Sequence, residues 1–91
     1  MKHYTKSMAL LQAHTVWYQL SMMGYHCDLE CGSEGSTPHV DVDVFWDDQN
    51  ERDLQYRTIQ KLWHDGDTIE VHDYKPSSGC KGGWITYSCE F

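Results

Sequence analysis

The sequence predicts an α+β fold: one long N-terminal helix packed on an antiparallel sheet of four to five strands, with a second short helix at 51–63 as the alternative to one strand. Three observations predict it. Apolar residues recur at helical spacing from Thr5 to Met23. From Tyr25 onward the period shortens to two, most clearly over His39–Trp46. Clusters of Gly, Ser and Pro then punctuate the alternating runs.

The helix is the least ordinary element. Projected at helical periodicity, Ala9, Leu10, Ala13, Val16, Trp17, Leu20 and Met23 form one broad apolar face. Met8, Leu11, Thr15, Tyr18 and Met22 form a second stripe. Gln12 and Gln19 separate the two on one side, and Ser7, His14 and Ser21 on the other. A surface helix normally carries one apolar stripe, so two imply burial on two sides. One sheet cannot supply both. The second stripe must lie under a loop or second helix of the same chain or against a second copy. The latter is favoured, with Met8, Leu11, Tyr18 and Met22 as the homodimer interface, because methionine-rich surfaces adapt to partners. Gly24 is a natural helix stop.

In the strand that follows, Cys27, Leu29 and Cys31 face one way and His26, Asp28 and Glu30 the other. The glycine- and serine-rich stretch 32–36 reads as a mobile loop. In His39–Trp46 the residues Val40, Val42, Val44 and Trp46 alternate with His39, Asp41, Asp43 and Phe45, which assigns the first set to the core. Residues 51–63 carry two patterns. Asp48 and Glu51 form a capping box for a helix. Asp53–Thr58 alternates, however, and Asp65-Gly66 is a preferred hairpin pair that would set Leu62 against Ile69 and Lys61 against Glu70. The alternation favours a strand. Strands over Thr68–Tyr74 and Trp84–Glu90, joined by the loop 75–83, complete a single domain spanning 1–91.

Charge is unevenly placed. Between Asp41 and Asp73 ten carboxylates face three bases, a net of −7 that equals the charge of the whole chain. Such a field repels nucleic acid and attracts basic proteins. Ser7 to Cys27 has no charged side chain, yet seven polar residues interrupt it, so no membrane span is expected. With no secretory leader in view, the protein is expected in the cytoplasm with Cys27, Cys31, Cys80 and Cys89 as thiols. Cys27 and Cys31, about 13 Å apart along a strand, do not have the spacing of a zinc site. Lys81-Gly82-Gly83 lacks the helix and hydroxyl of a phosphate cradle, and no cofactor is expected.

The sharpest polar cluster is His39, Asp41 and Asp43 on one strand face, which Glu70 and His72 of another strand could complete as a metal site. Acids on one strand followed by Glu-x-His loosely resemble the metal-dependent nuclease pattern of Asp followed by Glu-x-Lys, with His72 at the lysine position. Against this stands ordinary strand alternation, which places polar residues on the solvent face by default. The favoured function is a non-enzymatic protein-interaction module. Asp41, Asp43, Asp47, Asp48, Asp65, Asp67 and Glu70 would mimic phosphates toward a basic surface of a nucleic-acid-handling protein, with Trp46 and Trp63 as anchors. In size, charge and aromatic content the chain resembles the compact acidic inhibitors that phages and mobile elements direct against host restriction or CRISPR systems.

Overall fold

Thr5 is extended (φ −74°, ψ 164°), and its side-chain oxygen accepts the Met8 amide at 3.2 Å. That cap opens α1 over Lys6–Met22. The helix ends where expected. Gly24 turns into the left-handed region (φ 93°), Tyr25 N donates to Leu20 O at 3.3 Å, and Gly24 N donates to Ser21 O at 2.9 Å. This pair of bonds satisfies the last carbonyls and swings the chain back toward the sheet. The computed structural model describes residues 4–32 and 37–91, so most of the loop expected at 32–36 lies outside the described residues.

Four strands follow: β1 (Cys27–Gly32), β2 (His39–Trp46), β3 (Thr68–Asp73) and β4 (Gly83–Glu90), with α2 (Gln49–Leu62) between β2 and β3. They form one antiparallel sheet in the order β1-β2-β4-β3. The last strand thus enters the middle of the sheet, and β3 is left on an edge. Gly83 stands where β4 enters. A Cβ there would sit 1.8 Å from His72 O and 2.8 Å from the Trp46 ring, so only glycine fits between them.

Residues 51–62 are helical and Trp63 is the extended C-cap, which corrects the strand favoured by their alternation. Asp48 is extended and its carboxylate accepts Glu51 N at 2.9 Å, nucleating the first turn. Burial then follows helical spacing: Gln55 and Ile59 are fully enclosed and Leu62 packs against the core. The alternation misled because its apolar member Leu54 points to solvent while Gln55 points inward. Inside, the Gln55 amide donates to Phe45 O at 2.9 Å, which makes burial of a polar side chain tolerable. The proposed cross-strand pairs of Leu62 and Lys61 do not form; Ile69 pairs with Tyr87 and Glu70 with Thr86. Asp65-Gly66 does turn the chain (Gly66 φ 94°), but from a helix into a strand.

Both helices cover the same side of the sheet. Ala9, Ala13, Val16 and Leu20 of α1 and Ile59 of α2 pack on Val40, Val42, Val44, Ile85, Tyr87 and Cys89. Each fully buried Val, Leu or Ile contributes about 1.5–3 kcal/mol. Among the described residues no α-helix packs on the opposite side of the sheet.

Candidate protein-interaction face

The strand registers arrange the uncovered side as rows running across the sheet. His26 of the segment before β1 lies beside Phe45, Phe45 pairs with Trp84, and Trp84 pairs with His72. The next row is Asp28, Asp43, Thr86 and Glu70; the one after it is Glu30, Asp41, Ser88 and Thr68. His39 opposite Glu90 closes the pattern. The face therefore gathers six carboxylates, and none of the four strands contains a lysine or arginine.

Two of these pairings are unfavourable on their own. Asp28 stands directly opposite Asp43, and Glu30 directly opposite Asp41. Like charges at paired positions destabilise a sheet. Local hydrogen bonds offset part of this cost: Thr86 Oγ1 donates to Asp43 at 2.7 Å, and Ser88 Oγ donates to Asp41. His39 Nε2 lies 3.2 Å from Asp41 and its Nδ1 lies 3.0 Å from Thr37 O. The Thr37 carbonyl, followed by Asp41, holds the His39 pKa above the usual imidazole range. Two further pairs, His72–Glu70 at 3.2 Å and His26–Asp28 at 3.7 Å, repeat the arrangement on β3 and at β1. A shallow concavity of about 330 Å³ lies among His39, Asp41, Glu70, Thr86, Ser88 and Glu90.

The ring row borders the carboxylates at the β2 C-terminal end. His72 stacks on Trp84 with centroids 4.7 Å apart and planes 17° apart, and Tyr74 leans on the same indole at 5.4 Å. His26 meets Phe45 at 5.4 Å. Flat aromatic surface next to carboxylates is the combination that receives an arginine or lysine, the ring facing the cation or its stem and the acid its charge.

The residues assigned to binding from sequence divide into five groups. Asp41, Asp43 and Glu70 lie on the open face as expected. Asp47 and Asp48 follow β2, and Asp48 is committed to capping α2. Asp65 is exposed in the turn before β3. Asp67 and Trp46 are corrections: both are buried on the helix-covered side, because strand alternation turns Trp46 inward and Asp67 is enclosed by tyrosines. Trp63 is exposed but lies on the other side of the sheet. It lines a cleft of about 410 Å³ between α2 and β3 with Tyr56, Gln60 and Ile69. Asp28, Glu30, Glu90, Phe45 and Trp84 share the open face with Asp41, Asp43 and Glu70. Their alternation is visible in the sequence, but strand pairing decides that they share rows.

Asp67 instead anchors a buried polar hub. Tyr4 Oη donates to it at 2.7 Å, Tyr87 Oη donates to its other oxygen, and His64 N donates to that same oxygen at 2.9 Å. Gln12 Nε2 bridges Leu62 O at 2.6 Å and Tyr87 Oη at 3.2 Å. The hub ties α1, the α2–β3 turn and β4 together. Burial, reinforced by Asp67, pushes both tyrosine pKa values upward, and burial lifts the Cys89 thiol to about 11. These groups hold their protons and work as donors rather than as acids or nucleophiles.

The five residues offered as metal ligands share the open face but do not converge. His39 and Asp41 sit on β2, Glu70 and His72 on β3, and β4 runs between them. Among the described residues no group of three His, Cys, Asp or Glu side chains is placed to hold an ion. All four cysteines are free thiols, with Cys31 and Cys80 exposed. No described helix is long and apolar enough to cross a membrane. No protein-family model, curated protein or solved structure matches the chain.

Proposed function

We propose that the protein is a small acidic interaction module whose open sheet face binds a basic protein surface, one built to hold nucleic-acid phosphates. The observation that carries this reading is the pairing of Asp28 with Asp43 and Glu30 with Asp41. A sheet with no use for these charges would be more stable with a lysine in either position. Their retention beside a row of aromatic rings fits a surface matched to a cationic ligand. Phe45 and Trp84 supply the apolar contact in this reading, in place of Trp46 and Trp63. Inhibition of a host nucleic-acid-handling enzyme by a phage or mobile element is the biological setting such a mimic fits best.

The test is retention of a captured partner by the immobilised chain as salt is raised. Wild type is expected to lose it steeply, since exposed charges are screened within about 10 Å at 0.1 M salt. The Asp28→Asn/Glu30→Gln/Asp43→Asn variant is expected to lose it at low salt already, and duplex DNA is expected to compete. Retention that ignores both salt and the variant would refute the charge-mimic reading.

A further inference from the structure

Among the described residues nothing covers the second stripe of α1. Met8, Leu11, Tyr18 and Met22 are 53%, 69%, 54% and 68% exposed. At about 100° per residue they lie roughly opposite the face buried by Ala9, Ala13, Val16 and Leu20. The second helix does not reach over them. It flanks α1 on the Gln12 and Met23 side, where Gln12 meets Leu62 O and Thr58 meets the Met23 sulfur.

With Thr15 included, the stripe advances 8, 11, 15, 18, 22, alternating steps of three and four. That is the heptad spacing of a helix seam, in which each side chain fits between four of a facing helix. The α1 residues bordering the seam are Ser7, Gln12, His14, Gln19 and Ser21, so the helix itself brings no carboxylate or lysine to it; Asp65 of the α2–β3 turn lies across a cleft from Met8, Leu11 and Thr15. This matters in a chain of net charge −7. Two copies repel through their acidic strands, and along this helix the nearby acid is Asp65, at the edge of the stripe rather than in it. The stripe is also nearly palindromic about Thr15, whose hydroxyl is already satisfied by Leu11 O at 2.8 Å.

We infer that α1 is the interface of a two-fold homodimer, with the two helices antiparallel about Thr15. Each Met8 then meets a Met22 and each Leu11 a Tyr18, and opposed helix dipoles add a small favourable term. The apolar area exposed by the four large side chains is about 500 Å² per copy, near the upper end for a patch on a monomer. Full burial on both copies removes about 1,000 Å², the lower limit for a specific interface and the size of a weak, reversible dimer. Because α1 lies on the covered side of the sheet, both acidic faces remain outward, and the dimer presents two of them. The inference rests on α1 alone and is independent of what the acidic face binds.

Sedimentation of the full chain across a concentration series tests it. The expected species is twice the 10.7 kDa chain, dissociating on dilution. Leu11→Glu and Met22→Glu each place a carboxylate in the seam at an exposed position and are expected to weaken dimerisation by about 30-fold or more. Their circular dichroism and melting as monomers should match wild type. In a Cys31→Ser/Cys80→Ser background, Thr15→Cys is expected to cross-link two copies under mild oxidation. A wild-type monomer at hundreds of micromolar overturns the inference, as does a dimer indifferent to both glutamates. A different protein found on the stripe of a monomeric chain overturns it equally, and a dimer that Thr15→Cys does not cross-link overturns the antiparallel arrangement.

Discussion

Asp67 and Asp41 come from the same acid-rich stretch, and both accept hydroxyl hydrogen bonds from β4, yet they have opposite surroundings. Asp67 is 6% exposed and holds Tyr4, Tyr87 and the His64 amide around it. Asp41 faces solvent beside Ser88, His39 and the opposing Glu30. One carboxylate completes the core; the other opposes its neighbour across the sheet and remains available to a partner. A residue type that reads as a uniform acidic patch along the chain thus serves structure on one side of the sheet and, in the function proposed above, recognition on the other.

The sharpest way to break the comparison is to remove each carboxylate in turn. Asp67→Ala leaves three donors without their acceptor and is expected to cost about 3 kcal/mol in urea unfolding. Asp41→Ala removes one half-buried acceptor on the open face and relieves a like-charge pair, so its cost is expected to stay below about 1 kcal/mol. Equal losses would mean that the two sites are energetically alike.

Reversing a charge sharpens the open-face side of the comparison. Glu30→Lys converts a repulsive cross-strand pair with Asp41 into an attractive one and is expected to stabilise the fold by about 0.5 kcal/mol. It should weaken binding to a basic partner at the same time. A gain in stability with a loss in binding is the signature of charges kept for recognition. If Glu30→Lys destabilises the fold, the repulsion is not there.

The smallest effect expected is a pH dependence at His39. Its folded pKa is raised above the ordinary 6.5, first by the Thr37 carbonyl and then by Asp41. The protonated ring therefore stabilises the fold fully below pH 6.5, and that contribution disappears as pH rises through the higher folded value. At a partly exposed pair it amounts to less than about 1 kcal/mol. The urea midpoints of wild type and His39→Gln should accordingly converge as pH rises from 6 toward 8. A constant gap across that range would assign the difference to packing.

Much of this was legible before folding. Thr5, Gly24 and the two stripes of α1 were each placed by local rules, because capping and helical periodicity depend on residues within a few positions. The alternation of β2 was equally plain, since Val40, Val42 and Val44 leave one choice of buried side. Residues 51–63 were not, because Gln55 reads as polar until the carbonyl of Phe45 is placed beside it. The metal reading failed for a related reason. His39 and Glu70 share a face, but β4 enters between their strands and holds them apart.

The sequence by itself determined the helix–strand class, the inward set of β2 and the surplus apolar stripe of α1, for these follow from spacing along the chain. Only the tertiary structure decided which carboxylate meets which, through the order β1-β2-β4-β3 and its registers. It also buried Asp67 and set Trp84, half-buried, beside Phe45 and His72 on the open face. A strand fixes which residues share a side, but pairing with a distant strand fixes their neighbours, and no local pattern encodes that choice.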